Sequence, residues 1–390
     1  MINGIFGSLA VLSVALLLWQ WLAAWRFPLH QRNTEFQPGA TRILPSGCSA
    51  FLPAVTLLKS LKGCDAATED CLRSWFVQDY AGEIQILFGV VAADDPVCGI
   101  VQKLIREFPQ RNAQLIVCGP PVGPNAKVSK LAELEKLAQH EILVISDADV
   151  RVPKDFLQNV AVPLSEPNMG LVNCFYRLAN PSTLAMQWEA IAINADFWSQ
   201  VLQAQTLKPL DFALGAVMAT RRRNLAEIGG FTALADCLAD DYQLGNHIAR
   251  KGHRIALCPV VVECWDPPMT WRAVWKHQLR WARTIRVCQP LPYFFSILSN
   301  STLWPLLWLL PFVGTLRFEW FMGFWFFRTV IAVLLQKRLT GSWADHTWIW
   351  LVLLKDLLQV AIWFCAFAGN KIEWRGQQYT LRRDGTLVKK

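Results

Sequence analysis

The sequence predicts an α/β domain flanked by transmembrane helices, and three observations lead to this fold class. Two carboxylates, Asp147 and Asp149, directly follow the buried-type apolar run 142–145. Similar runs alternate with helical stretches through the first half of the chain. Long apolar segments occupy both ends, and hydrophobic residues make up 53% of the 390 residues. The composition is therefore that of a membrane protein with a soluble insert.

The N-terminal segment is predicted to be one membrane helix. Residues 5–24 carry no charge and are followed by Arg26, His30 and Arg32. About 20 apolar residues span a bilayer, and a basic flank marks the cytoplasmic side. A cleaved signal peptide is the alternative, but no basic residue precedes the apolar core and no clean Ala-x-Ala site follows it.

Alternating strands and helices are predicted from residue 53 onward. Strands fall at 53–59, 83–91, 114–118 and 142–145, and helices at 68–78, at 96–108 and up to about 139. This order predicts a parallel, doubly wound sheet, in which ligands bind beyond the carboxyl ends of the strands. Asp94 and Asp95 end the second strand as Asp147 and Asp149 end the fourth. Paired carboxylates there can hold a hard divalent cation that carries phosphates, or they can simply be solvated turn residues.

The second half of the domain is less regular. Strands are predicted at 169–177 and 211–220, and an amphipathic helix at 183–202 either packs in the core or meets the bilayer. The run 221–223 consists of three arginines, which either contact phosphates or end a strand in solvent. Asp240 and Asp241 open a helical run, where Asp240 is suited to cap the helix and Asp241 to act as a tuned base. The helix 271–286 has an aromatic and a cationic face, so it either anchors the chain at the membrane or closes over a diphosphate.

Three further apolar segments, 293–316, 320–335 and 348–368, are predicted to span or nearly span the membrane. Lys355 and Asp356 lie near the middle of the last one and must face protein or water. If all three segments span, the basic tail lies outside, against the positive-inside tendency. Either one segment is re-entrant or interfacial, or that tendency is overridden.

Charge and cysteine content restrict the partners. The formal charge of +8 suits an anionic membrane surface, and no basic-aromatic stripe or nucleic-acid module is present. The 11 cysteines are scattered without a CxxC pair, which predicts reduced thiols without a metal or disulfide role.

Five motifs in order resemble those of GT-A, family 2-like inverting glycosyltransferases. The closer resemblance is to the ceramide glucosyltransferase-like enzymes of family 21 and their bacterial hopanoid-associated relatives. The motifs are Asp94–Asp95, Asn125-x-Lys127, Asp147-x-Asp149, Asp240–Asp241–Tyr242 and His277-x-x-Arg280–Trp281. The likeness covers about residues 50–290, and it extends to the membrane layout and to the tail sequence 372–376.

The resemblance implies four regions: a membrane helix at 1–26, a cytoplasmic GT-A (Rossmann-like nucleotide-sugar binding) domain at 27–290, about three membrane segments at 291–370 and a basic tail at 371–390. It implies an integral protein of the bacterial inner membrane. A hexose would pass from a UDP-sugar, with UDP-glucose expected, to the primary hydroxyl of a membrane lipid such as ceramide, giving a β-glycolipid. The alternatives are a hopanoid-type lipid N-acetylglucosaminyltransferase, a processive polysaccharide synthase and a non-catalytic membrane scaffold.

The resemblance also implies residue roles. Asp241 would be the general base, and Asp149 with Asp147 would hold Mg²⁺ or Mn²⁺. The nucleotide-sugar would contact Asp94, Asp95, Asn125, Lys127, Asp147, Arg280 and Trp281. Asp240, His277 and Gln278 would lie near the acceptor and the diphosphate. The chain departs from the family pattern at His277, where Gln or Arg is usual, and at Asp149, which the eukaryotic ceramide enzymes lack.

Overall fold

The computed structural model describes residues 2–32, 52–309, 315–343, 350–374 and 377–389. The chain divides into two compact units. The α/β unit comprises Leu29–Ala179 and Pro209–Pro267, and the helical unit comprises Met1–Pro28, Asn180–Lys208 and Pro268–Lys390. Each unit therefore gathers segments that are distant in sequence.

The regular elements are numbered in chain order. The helices are α1 Ile2–Arg26, α2 Thr68–Phe76, α3 Val97–Glu107, α4 Ala126–Leu137, α5 Phe156–Ala161, α6 Leu184–Ile191, α7 Trp198–Leu207, α8 Arg222–Glu227, α9 Asp240–Arg250, α10 Trp271–Cys288, α11 Pro290–Phe295, α12 Leu303–Leu309, α13 Thr315–Thr340 and α14 Leu351–Phe367. The strands are β1 Val55–Ser60, β2 Ile84–Val90, β3 Asn112–Val117, β4 Ile142–Ser146, β5 Val150–Arg151, β6 Met169–Leu178, β7 Val217–Arg221, β8 Arg254–Cys264, β9 Lys371–Trp374, β10 Gln377–Leu381 and β11 Leu387–Lys389.

The α/β unit is built on an eight-stranded mixed sheet in the order β3-β2-β1-β4-β7-β6-β8-β5. Strands β3, β2, β1 and β4 are parallel, as predicted, whereas β7 runs antiparallel to both β4 and β6. The predicted parallel, doubly wound sheet is therefore correct for these four strands, whereas the sheet is mixed beyond β4, where β6 and β8 are parallel and β5 is antiparallel to β8. The helices between β6 and β7, α6 and α7, belong to the helical unit, so this connection is not the crossover helix within the α/β unit that a parallel pair needs.

Every residue of β1, β2 and β4 is buried. Apolar side chains of these strands form one core with helical residues such as Trp75 and Phe156. Strands covered on both faces read as continuous apolar runs, which explains why these three were predictable from the sequence. Because the three strands are parallel neighbours, their carboxyl ends lie at one edge of the sheet.

The strand predicted at 211–220 begins only at Val217. The preceding loop packs closely on α9, since a Cβ at Gly245 would lie 2.4 Å from the backbone N of Ala213. The backbone N–H of Leu214 donates to Asn173 Oδ1 at 3.1 Å instead of to a neighbouring strand. This part of the prediction is wrong because tertiary contacts hold the loop outside the sheet.

The ten described cysteines are free thiols, and six of them are buried. Burial raises the pKa of Cys71 to about 12 and, likewise, the pKa of Cys258 to about 12. Neutral buried thiols behave as small apolar residues and are poor metal ligands. Cys48 lies outside the described residues.

In the helical unit, α1 packs against α7 and α12. The helix predicted at 183–202 is formed by α6, a π-helix at Ala192–Phe197, and α7. The first predicted C-terminal span is broken, because α11 is followed by a 3₁₀ turn and Asn300 caps α12 by accepting from the N–H of Leu303 at 2.8 Å. Among the described residues, one helix, Asn3–Arg26, is long and apolar enough to cross a membrane by length and composition. Residues 344–349, at the start of the third predicted span, lie outside the described part of the chain.

The helical unit contains a buried ionic quartet made of Asp196, Arg328, Lys355 and Asp356. Arg328 contacts Asp196 and Asp356 at 2.9 Å each, and Lys355 contacts Asp356 at 2.6 Å and also pairs with Asp196. Thr302 donates to Asp356 Oδ2 at 2.5 Å. The four residues are 3–7% exposed. The expectation that Lys355 and Asp356 face protein is thus met by two acids that balance two bases.

The C-terminal residues form a small sheet rather than a loose basic tail. Strands β9, β10 and β11 pair antiparallel in the order β11-β10-β9. Ile372, Tyr379, Leu381 and Leu387 are buried, so an apolar face stabilises the sheet. Arg375 and Gly376, which were part of the tail motif, and Lys390 lie outside the described residues.

Candidate active site

The carboxyl ends of β2, β1 and β4 meet at one edge of the sheet. Ser60 of β1 lies opposite Gly89 of β2, and Lys59 lies opposite Ser146 of β4. Because these strands are parallel, the acids that follow β2 and β4 begin from the same edge. The sequence-predicted residues of the α/β unit are therefore collected there by the fold.

Lys127 is the cation that joins the end of β4 to the start of α9. Its Nζ lies 2.7 Å from Asp147 Oδ1 and 3.1 Å from Asp240 Oδ2, and the residue is 9% exposed. Burial by itself would lower the pKa of Lys127, but the two carboxylates outweigh it and hold the pKa above its usual value. We call Asp147, Asp149, Asp240 and Asp241, with Lys127, the acidic cluster.

Asn125 holds this arrangement from the N-terminus of α4. Its Oδ1 accepts from the backbone N–H of Lys127 at 3.0 Å and of Val128 at 3.2 Å. Its Nδ2 donates to Cys237 O at 2.9 Å and to Asp240 Oδ1 at 3.3 Å. These bonds use both amide hydrogens and both lone pairs of the side chain. Asn125 therefore braces the loop that carries Lys127.

Asp240 does not cap α9 in the way that its position suggested. The N-cap residue is Ala239, with no side-chain cap bond, and the Asp240 carboxylate instead faces Lys127 and Asn125. The capping prediction is wrong because a buried cation competes for the same oxygens. Asp240 is 8% exposed, so its charge is held in place by these two partners.

Asp241 lies in the first turn of α9 and is partly buried. Its Oδ1 accepts from the Tyr242 N–H at 2.8 Å. Its Oδ2 occupies the space beside Gly215, where a Cβ would come within 2.6 Å of that oxygen. Burial and the neighbouring Asp240 raise the pKa of Asp241 to about 6, while Lys127 opposes the rise. A carboxylate tuned in this way is suited to accept a proton near neutral pH.

Asp149 also has a perturbed pKa. Burial, Asp147 and Asp266 raise the pKa of Asp149 to about 7, and Lys59 opposes them. Asp266 did not stand out in the sequence, because it lies far from Asp149 along the chain and follows β8. Carboxylates concentrated in this way favour a bound cation.

Lys59 is a site residue that sequence reasoning missed. It is fully buried at the end of β1, and its Nζ donates to Asp147 O at 2.6 Å and to Ser146 Oγ at 3.2 Å. Burial lowers the pKa of Lys59 to about 8, with Cys71, Asp149 and Asp147 opposing the change. The available signal was a lysine in a strand that is otherwise apolar and expected to be buried.

The structure places the predicted nucleotide-sugar contacts Asp94 and Asp95 and the arginine run 221–223 in different environments. Asp95 accepts from the N–H groups of Gly63 at 2.9 Å and Val97 at 3.0 Å, so it braces the loop, whereas Asp94 is exposed. Both interpretations of the arginine run are wrong for Arg221, which is 6% exposed and donates to backbone carbonyls, including Met169 O at 2.7 Å. Arg222 likewise bonds backbone oxygens at the end of α4.

The remaining motif residues lie on α10 in the helical unit. His277 and Gln278 contact Glu189 of α6 at 2.8 Å each, and the His277 ring lies 4.4 Å from the ring of Trp281. Arg280 is on the same helix. Glu189 was missed, because it looked like an ordinary polar position on a mostly apolar helix.

The donor set at the edge of the sheet fits a hard divalent cation. Asp147 and Asp149 offer carboxylate oxygens, the ligands that Mg²⁺ and Mn²⁺ prefer, and the crowding of acids around Asp149 is relieved by positive charge. Within the described ranges, no group of three or more His, Cys, Asp or Glu side chains is arranged to hold a metal ion. Two protein carboxylates with a substrate diphosphate are typical of magnesium sites of this kind.

Comparison with known proteins identifies the family of this chain and several relatives of parts of it. The family model described as glycosyl transferase family 21 matches residues 7–387. Ceramide glucosyltransferase 3 of Caenorhabditis elegans is 23% identical over 209 residues, which are 53% of this chain and 45% of that enzyme. Ceramide glucosyltransferase of Candida albicans is 34% identical over 122 residues, 28% of this chain and 22% of the enzyme. The chain thus matches less than half the length of either relative.

The mannosyltransferase PcManGT of Pyrobaculum calidifontis, solved with GDP-Man and Mn²⁺, shares the fold. The TM-score is 0.53 at 18% identity, and the match covers 94% of this chain and 98% of that chain. The α/β unit is therefore a GT-A domain with a mixed sheet, and the predicted GT-A fold is confirmed. The flanking transmembrane helices stay a prediction.

Proposed function

Since this chain belongs to glycosyl transferase family 21, we propose that it transfers a hexose from a UDP-sugar, with UDP-glucose first in expectation, to the primary hydroxyl of a membrane lipid such as ceramide. The similarity to ceramide glucosyltransferases from two organisms supports the choice of sugar and acceptor. The product is a β-glycolipid, because one displacement inverts an α-linked donor.

The observation that carries the proposal is the raised pKa of Asp241 together with its position beside Asp240. Its carboxylate has a pKa of about 6 and stands next to Asp240, which Lys127 connects to the end of β4. An alcohol is a poor nucleophile until a base takes its proton. Asp241 is ionised at neutral pH yet basic enough to accept that proton, so it is the proposed general base.

The other residues bind the donor and neutralise its charge. Asp147 and Asp149 would hold Mg²⁺ or Mn²⁺, which when bound stabilises the charge that develops on the leaving diphosphate. Lys127 keeps Asp147 in place through its 2.7 Å contact. Arg280 and Trp281 are proposed to bind the diphosphate and the acceptor, with Asp94 near the nucleotide.

A lipid acceptor agrees with the composition of the chain. The helix Asn3–Arg26 is long and apolar enough for a bilayer, and α14 is also strongly apolar. We propose an integral protein of the bacterial inner membrane whose GT-A domain faces the cytoplasm, where UDP-sugars are present.

The test is product formation in membranes that contain the expressed protein. Radiolabelled UDP-glucose, UDP-galactose and UDP-N-acetylglucosamine are supplied separately with ceramide or hopanoid acceptors, and the lipid product is identified by mass spectrometry. We expect a monoglucosylated ceramide that is absent from membranes of cells with an empty vector. An N-acetylglucosaminyl hopanoid supports the second candidate. A polymer product or no product with any donor contradicts the proposal.

A further inference from the structure

Glu189 is a fully buried carboxylate in the helical unit, at 0% exposure. Its Oε1 accepts from His277 Nδ1 and from Gln278 Nε2, both at 2.8 Å. Its Oε2 is buried without a hydrogen-bond partner among the described residues. Burying a carboxylate is costly unless its partners compensate, and here the partners are consecutive residues of α10. Glu189 therefore has a specific link to this helix.

The contact fixes which nitrogen of the imidazole is engaged. Glu189 Oε1 already accepts from the Gln278 amide, so it is the acceptor in both contacts and the proton between it and the imidazole lies on His277 Nδ1. This leaves Nε2 as the nitrogen that can meet a ligand. The His277 side chain is 23% exposed, and its ring packs 4.4 Å from Trp281.

A second contact from the same helical segment holds Trp281. Phe197, at the end of the π-helix, lies 6.5 Å from the Trp281 ring. Glu189 and Phe197 are eight residues apart, which in a regular α-helix turns them about 80° from each other. A π-helical turn takes up about one more residue, which brings the two side chains nearer to one face. The irregular turn thus lets one segment support both His277 and Trp281.

We infer that Glu189 is a positioning residue for the transferase: it orients His277 so that Nε2 hydrogen-bonds the diphosphate of the donor beside Arg280. The inference rests on the proposed function, in which α10 binds the donor. It assigns a role to a residue outside the five motifs. It also gives a physical account of the histidine at a position where related enzymes carry Gln or Arg.

The experiment is a double-mutant cycle measured as kcat/KM for the UDP-sugar. E189Q keeps the shape of the side chain and removes its charge, and H277A removes the imidazole. We expect each single variant to lose about tenfold in kcat/KM and the double variant to lose no more than H277A, because both act through one contact. Additive losses mean that Glu189 serves only packing, and wild-type kcat/KM in E189Q also overturns the inference.

Controls separate this inference from folding and from the proposed function. Glu227 contacts His253 at 2.7 Å on the surface and is 43% exposed, so E227Q is a matched Glu–His variant that should keep wild-type kinetics. Melting temperature is measured for each variant. If E189Q does not fold, H277A alone decides, since wild-type kcat/KM there overturns the inference. Absence of turnover in the wild-type protein contradicts the proposed function, whereas an active wild type with unaffected E189Q and H277A contradicts only the inference.

Discussion

The acidic cluster of the α/β unit and the ionic quartet of the helical unit both bury carboxylates, but they balance charge differently. In the quartet, two acids meet two bases, and each acid contacts both Arg328 and Lys355. In the acidic cluster, Lys127 contacts Asp147 and Asp240 but neither Asp149 nor Asp241, and the pKa values of Asp149 and Asp241 rise to about 7 and about 6. Balanced charges fix packing, whereas unbalanced charges leave groups that can take up a proton or a cation.

The largest expected effect lies in the quartet. Arg328→Ala leaves Asp196 and Asp356 with too little positive charge, and breaking one partner of a buried pair costs about 3–5 kcal/mol. We expect a strong fall in folded yield and in melting temperature. The double variant R328M/D356L leaves Lys355 paired with Asp196 and should recover much of the loss. A stable but inactive R328A would mean that the quartet has a chemical role and would break the comparison.

Removing the proposed base from the acidic cluster should lower activity and leave stability intact, whereas the change in the quartet should lower stability. Asp241→Asn should lower turnover by about 10²-fold or more, because the acceptor proton has no place to go. The melting temperature should not fall, since an amide costs less to bury beside Asp240 than a second carboxylate does. Turnover, UDP affinity and thermal unfolding are measured together. Turnover at the wild-type rate would remove Asp241 from the mechanism.

Asp149→Ala tests whether the excess negative charge holds a cation. We expect Mn²⁺ to tighten UDP binding to the wild-type protein. The variant should bind UDP with the same affinity in Mn²⁺ as in EDTA. Binding is measured by calorimetry with and without EDTA. Glu166→Ala, which changes an exposed acid paired with Arg254, serves as the control and should keep the metal dependence. If Asp149→Ala still binds UDP more tightly with Mn²⁺ than in EDTA, the metal is held by other residues.

A smaller effect should appear in the dependence of kcat on pH. Because Asp241 acts as a base only when it is ionised, kcat should fall about tenfold per pH unit below its pKa of about 6. At higher pH the ionised fraction is complete and this limb is flat. The rate is measured from pH 5 to 8 with saturating Mn²⁺. A rate that does not change between pH 5 and 7 would contradict the assignment.

The sequence predicted the parallel half of the fold because its signals are local. Strands β1, β2 and β4 are mostly apolar runs, and acids follow soon after β2 and directly after β4. The mixed half depends on how the chain returns from the helical unit, which no local pattern records. The C-terminal sheet was missed for a related reason, because its three short strands stabilise one another.

The site residues also divide into those with a local sequence signal and those without one. Asp241 and Asp149 stand in recognisable motifs, whereas Lys59, Glu189 and Asp266 matter through partners that are far away in sequence. Glu189, for example, contacts a residue 88 positions further along the chain. Arg328 offered a usable signal, since a lone arginine inside the apolar run of α13 needs a buried partner.

The close approach of Asp241 to the backbone at Gly215 makes that position diagnostic. Even the smallest side chain there would collide with Oδ2, because a Cβ comes within 2.6 Å of it. A relative with alanine or serine at the equivalent position must hold its base in another rotamer or use another base. The residue type at this position can thus separate transferases that hold the base in this rotamer from those that hold it differently or use another base.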